Sequence, residues 1–366
     1  MYTPEQLKIL SKAEKARIWK CISSDSYPRG KSLKDLQKHE LNAMLLLGIE
    51  KPIELSRFTQ MNLSELESII NEPKYKRFKV EKKNGGKREI CAPEPMLKKI
   101  QKRLNYFLQA YYLCMRPEAV HGFVVNPHYL GKRCNIAENA KIHTKKKHIA
   151  NIDLKDFFTS ISAWQIKYIF TSEIFGYSEK LATAMTLLTT YEGKLPTGAP
   201  SSPVLSNFIC LKMDKELTEY CASNGLTYSR YADDMSFSSN NLISANEILD
   251  IISIIKQNRF SINEKKLRLK KANKKQTVTG LTVNEKVNVN RKLLKKTRAM
   301  LHDMTANGVN IATKKHFKTE GDIQQKLMAS FINRLEGYIN FIGQVRGKED
   351  ILYQKLKNSY DSEFNM

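Results

Sequence analysis

The stretch LTYSRYADDMSFSS, residues 226–239, reads as two short strands folded back on an Ala-Asp-Asp turn. Asp233 and Asp234 sit at its tip, where adjacent like charges raise each other's pKa. Upstream, HIANIDLKDFF at residues 148–158 carries a second acid. Asp153 interrupts the run Ile149-Ala150-Asn151-Ile152, which otherwise reads as the end of a buried strand, and a carboxylate there is costly unless its charge is offset. A bound divalent cation resolves both difficulties. Mg²⁺ prefers a few carboxylates plus substrate phosphates, and a pair of such ions clamps an in-line displacement at phosphorus. Read singly, each cluster has a plainer explanation, because Asp-Asp is common at tight turns and an Asp after a strand often caps a helix.

Outward from this pair, the pattern organises the chain. Residues 75–95, YKRFKVEKKNGGKREICAPEP, predict a basic β-hairpin turning at Asn84-Gly85-Gly86. A helix follows with Ile100, Leu104, Phe107 and Leu108 on one face, then loop-like segments that include HGFVVN and run to Lys147. Ser162 to Phe170 reads as a helix, LPTGAPSSPVLSN as a Gly/Pro-rich loop entering another, and Ala245 to Gln257 as a third. A basic stretch from Lys265 to Lys275 and a short strand pair around VTGLTVNEKVNVN precede a helical C-terminal quarter beginning near Arg291. The first seventy or so residues predict short capped helices, starting at Thr3, at Ser32 and at Asn62 with Glu65. Strands alternating with helices in the middle argue for an α/β or α+β core flanked by helical ends.

Composition narrows the partners. With 61 Lys+Arg against 37 Asp+Glu in 366 residues the net charge is +24, the balance of a polyanion-binding protein, while 41% apolar residues exclude bulk disorder. No run approaches the apolar length of a membrane-spanning helix, and Glu5 and Glu14 stand where a secretory signal needs an apolar core, so a soluble cytoplasmic protein is expected. The six cysteines lack metal-ligand spacing and read as reduced structural thiols.

The order NIDLKDFF, GAPSSPVLSN, YADD, a basic segment and VTGLTVN reproduces the succession of palm motifs shared by reverse transcriptases, and the chain resembles that family from Tyr75 to about residue 345. Asn139-Ala140-Lys141-Ile142-His143 matches an N-A-x-x-H signature and Val278-Thr279-Gly280 a V-T-G signature, and with both the chain resembles retron reverse transcriptases in particular. RLEGYINFIGQVRGK resembles the thumb of that family. The resemblance implies an α+β right-hand polymerase with a ferredoxin-like palm, basic fingers, a helical thumb and an N-terminal helical extension, divided at 1–74, 75–285 and 286–366. Thr197 departs from the family, whose members usually carry Gln before Gly-x-P-x-S-P.

The same resemblance implies roles. Asp153 and Asp233 hold or bridge two Mg²⁺ ions, Asp234 favours the ion that activates the primer hydroxyl, and the Leu154 carbonyl completes the nucleotide-side ion. Lys82 and Arg88 of the basic hairpin meet the incoming triphosphate, with Lys83 and Lys87 as rivals because the Gly-Gly turn allows more than one register. Gly198 belongs to the nucleotide-binding loop. Phe158 holds the steric-gate position beneath the sugar, although Phe157 is an equal candidate for a core aromatic. Lys266 lies near the leaving pyrophosphate, where a solvated basic face is the alternative, and Tyr231 supports the primer terminus. Asn139, His143, Val278, Thr279 and Gly280 are expected to contact RNA; the plainer alternative makes Asn139 a helix cap and His143 an ordinary loop residue.

The implied activity is RNA-directed DNA synthesis from dNTPs on a structured noncoding RNA, begun at a 2′-hydroxyl of an internal guanosine. Its product is a branched RNA–DNA hybrid, and its setting is antiphage defence with a separate effector protein. Two alternatives remain: another bacterial reverse transcriptase of intron or unassigned defence type, and a catalytically idle nucleic-acid scaffold.

Overall fold

A computed structural model of the chain describes residues 36–81, 85–131, 134–321 and 323–364. The expected helix starts at Thr3 and Ser32 lie outside the described residues, as do Lys82 and Lys83.

Among the described residues three short helices come first: α1 (Lys38–Leu47), α2 (Pro52–Thr59) and α3 (Leu63–Asn71). Asn62 caps α3 by accepting from the Glu65 N–H, as its spacing predicts. Strands β1 (Tyr75–Glu81) and β2 (Lys87–Pro93) form the basic hairpin, in which Val80 faces Arg88. Phe78 and Val80, two residues apart and so on one face of it, are exposed, which leaves the outer part of that face open to solvent. The long α4 (Pro95–Met115) follows, and α5 (Ile136–Lys141) lies where the sequence suggested only loop. Asn135 makes that helix possible by capping the Ala137 and Glu138 N–H groups.

The central sheet is built from β3 (His148–Asp153), β4 (Thr227–Tyr231), β5 (Asp234–Ser239) and β6 (Arg268–Lys271). Between β3 and β4 run α6 (Ala163–Thr171), α7 (Glu179–Thr189), α8 (Ser202–Ile209) and α9 (Leu211–Ser223), and α10 (Ala245–Gln257) joins β5 to β6. Strand order β4-β5-β3-β6 with every pairing antiparallel is the ferredoxin-like arrangement. Ser162 and Ser244 each close a capping box, which fixes where α6 and α10 leave the sheet.

The small ribbon β7 (Thr277–Val278) and β8 (Leu281–Thr282) leads to α11 (Arg291–Phe317), α12 (Gln325–Arg346) and α13 (Ile351–Asp361). Gly308 breaks α11 with φ 76°, a conformation that costs glycine little. Two apolar cores result. One joins α1 to α3 with α4 and the sheet, through Met44, Leu46, Leu55, Leu66, Leu104, Phe107 and Phe237. The other holds the C-terminal helices through Phe331, Leu335 and Ile339, and it also takes in Ala137, Ala140, Ile149 and Val278 from earlier in the chain. The N-terminal helices therefore share their core with the sheet. No helix among the described residues is long and apolar enough to cross a membrane.

Candidate active site

The turn between β4 and β5 places the acids. Tyr231 pairs with Asp234 across a two-residue connection, and Ala232 takes φ 61°, the left-handed geometry that suits a tight hairpin. Asp234 opens β5 opposite Asp153 at the end of β3, and the Leu154 N–H donates to the Asp233 carbonyl at 2.9 Å. All three acids therefore meet at one end of the sheet, with Leu154 buried beneath them.

Burial, then the neighbouring carboxylates Asp233 and Asp153, push the Asp234 pKa up to about 7; Lys266 and Arg268 hold it back. Asp233 is raised by burial and by Asp153, and is partly relieved by Lys266 and Arg88. These two carboxylates lack sufficient counter-charge, which is the electrostatic condition that a divalent cation removes. Lys266, on the turn before β6, grips Asp153 with its ammonium 2.8 and 2.9 Å from the two oxygens, so a cation already sits against that acid. Among the described residues no three His, Cys, Asp or Glu side chains form a ready-made metal cage. The donor set nonetheless fits Mg²⁺, which needs only one or two carboxylates when substrate phosphates and water complete its shell.

The loop before α8 closes on the basic hairpin. Thr197 donates from Oγ1 to the Glu89 carbonyl at 2.8 Å and accepts from the Cys91 N–H at 3.3 Å. A Cβ on Gly198 would lie 2.8 Å from the Cys91 carbonyl oxygen, so glycine is required for this approach. Thr197, which departs from the family pattern, thus ties the loop to the strand that carries Arg88. Phe157 is buried against Phe260, whereas Phe158 is half-buried and leans on Phe123 at a ring-centroid distance of 5.7 Å.

Sequence reading missed what holds the turn. Arg230 and Asp214 are fully buried and bidentate, at 2.8 Å from Nε and 2.6 Å from Nη2. Tyr228 donates to the same carboxylate at 2.8 Å, and Arg230 Nη1 donates to the Asn207 side chain and the Ala232 carbonyl, each at 3.0 Å. Gly122 presses on the turn so closely that a Cβ would fall 2.3 Å from the Ala232 nitrogen. The available signals were Arg230 inside a strand and a Gly within His-Gly-Phe, neither of which announces a partner by itself.

The expected RNA contacts need correction. His143 is fully buried, with Nδ1 2.7 Å from Ser238 Oγ and Nε2 2.8 Å from Ser229 Oγ, and so clamps the hairpin β4–β5 from behind. Asn139 is only 1% exposed, inside α5 rather than at its cap, and Val278 is fully buried. None of these three side chains presents a surface to RNA. Thr279 and Gly280 lie nearer the surface in left-handed conformations, and the Thr279 hydroxyl donates to the Ile136 carbonyl. The two signature segments thus pack on each other.

Burial pushes the His143 pKa down to about 3, with Lys146 and His121 adding to the effect. The unfolded histidine, near 6.5, binds its proton first, so stability is lost as pH falls from about 6.5 toward 3. Urea midpoints measured at pH 7 and pH 5 should fall less steeply in His143→Gln than in the parent protein. Equal slopes would remove His143 from the acid response.

Residues 80–283, more than half of the chain, match the family model described as reverse transcriptase (RNA-dependent DNA polymerase). The chain is 32% identical over 275 residues to the retron Ec86 reverse transcriptase of Escherichia coli, covering 72% of this chain and 82% of that one. It is 28% identical to the retron Mx65 reverse transcriptase of Myxococcus xanthus, over 82% of this chain and 74% of the relative. The protein belongs to the reverse transcriptases and, within them, to the retron reverse transcriptases. It is an RNA-directed DNA polymerase with a right-hand polymerase fold, and RNA is its template.

Proposed function

We propose that this polymerase copies a structured noncoding RNA into branched, multicopy single-stranded DNA, starting from a 2′-hydroxyl of that RNA, in cytoplasmic antiphage defence with a separate effector protein. The observation that carries the catalytic part is the meeting of Asp153, Asp233 and Asp234 at one end of the central sheet, with raised pKa values at Asp233 and Asp234. Domain boundaries near residues 74 and 285 mark the N-terminal helices, the fingers with the palm, and the thumb.

In this reading Asp153, Asp233, Asp234 and the Leu154 carbonyl hold two Mg²⁺ ions, which when bound neutralise phosphate charge and favour the deprotonated primer hydroxyl. Arg88, close enough to Asp233 to lower its pKa, meets the triphosphate, and Lys82 joins it there. Gly198 lets the nucleotide loop lie flat on β2. Lys266, whose ammonium grips Asp153, would lie near the leaving pyrophosphate, where it can donate a proton. Thr279 and Gly280 contact RNA.

Phe158 excludes ribonucleotides by placing its ring under C2′ of the sugar, a role that its half-buried position supports over the buried Phe157. Phe158→Ala should raise the ribo- to deoxyribonucleotide ratio of kcat/KM by roughly tenfold or more. An unchanged ratio would leave the gate unassigned. The product is tested by sequencing the nucleic acid that copurifies with the protein. A deoxynucleotide joined to a 2′-hydroxyl of an internal guanosine is expected, and linear cDNA primed from a 3′ end would overturn the branched-product reading.

A further inference from the structure

Phe123 stands in the left-handed region at φ 59°, a conformation that a bulky aromatic residue adopts only under constraint. The constraint is visible. His121 donates its N–H to the Arg230 carbonyl at 2.9 Å, the Asn207 amide donates to the Gly122 carbonyl at 3.0 Å, and Gln109 Nε2 donates to the Phe123 carbonyl at 2.9 Å. Gly122 meanwhile abuts the Ala232 nitrogen, so the segment cannot relax toward the turn. Three hydrogen bonds and a close approach therefore fix an unfavourable backbone, and its outcome is a ring laid beside Phe158, with planes 33° apart. Phe158 also approaches Phe157, at 5.4 Å between centroids. Its ring thus has two aromatic neighbours, one in the core and one on the strained segment.

We propose that Phe123 is a positioning residue for nucleotide selection: its ring backs Phe158 and fixes the depth at which the gate ring stands beneath the incoming sugar. The proposal rests on Phe158 acting as the gate. A gate discriminates by a steric difference of about one hydroxyl group, so it works only if its ring cannot retreat. Phe123 denies that retreat. The shared Asn207 and Arg230 tie this backing to the Ala232 turn, so the gate and the acids keep a common frame.

The test measures kcat/KM for a ribonucleotide and its deoxy counterpart on an annealed primer–template, using the full chain. Phe123→Asn removes the ring while keeping a residue that accepts φ > 0. It should raise the ribo/deoxy ratio by roughly three- to tenfold, less than Phe158→Ala does, and Phe123→Leu should fall between Phe123→Asn and the parent. In the double variant Phe123→Asn/Phe158→Ala the ratio should equal that of Phe158→Ala alone, a non-additivity that general loss of stability would not produce. Where Phe123→Asn folds poorly, Phe123→Leu carries the same comparison. If Phe158→Ala relaxes selection but the Phe123 variants do not, or if the two effects multiply, the backing role is wrong while the gate stands. If Phe158→Ala itself changes nothing, the gate reading fails first.

Discussion

Asp233→Ala combined with Asp234→Ala should reduce DNA synthesis by at least roughly 10³-fold while leaving RNA retention close to that of the parent protein. The expected split comes from charge. The two acids repel each other and Asp153 in a partly buried corner, so they contribute nothing to holding a polyanion. RNA affinity comes instead from the cationic excess of +24, which the substitution raises to +26. Primer extension and filter binding on one preparation check both halves. Full-length cDNA from the double variant would overturn the metal assignment, and loss of synthesis and RNA binding together would point to a collapsed palm. The metal-free double variant should also melt higher than the metal-free parent, because burial and mutual repulsion of these carboxylates oppose folding near neutral pH.

A comparably large effect on stability is expected at the fully buried ion pair. Arg230→Met leaves Asp214 charged among Tyr228 and Cys210 with no cation, and breaking such a pair costs about 3–5 kcal/mol. Asp214→Leu strands Arg230 in the same way. Replacing both, Arg230→Met with Asp214→Leu, should recover much of the loss, because apolar groups of similar volume need no counter-charge. Urea denaturation of the three variants measures this. Synthesis in the double variant should stay well below that of the parent even where stability returns, since the Arg230 donors to Asn207 and the Ala232 carbonyl are gone. A loss under about 1 kcal/mol in Arg230→Met would mean that solvent reaches the pair.

How far the sequence could be read depended on whether the relevant physics was local. The YADD hairpin was legible because a tight turn and flanking alternation are short-range properties, and Asp153 because a charge at the end of an apolar run is conspicuous. Capping gave the start of α3 for the same reason. Arg230 was not legible. Strand alternation assigns one face of a strand to solvent, but the middle of β4 is buried on both faces, and the partner that makes Arg230 tolerable lies 16 residues earlier on α9. His143 failed similarly. NAKIH looks like polar surface, and only the fold brings Ser229 and Ser238 to its two ring nitrogens. Nothing local announces α5, because six residues are too few for periodicity to show.

The position of α5 bears on how such enzymes can be recombined. Ala137 and Ala140 pack in the core of the C-terminal helices, Thr279 bonds back to Ile136, and His143 anchors the same segment to the hairpin that bears the acids. The unit that would travel with a thumb is therefore discontinuous in sequence. A chimera cut only near residue 286, with its new C-terminal part taken from a relative, would face α5 and the β7–β8 ribbon with unmatched apolar surfaces. Grafts that exchange residues 136–143 and 277–283 along with the thumb keep that joint intact, because both sides of the shared core then come from one parent.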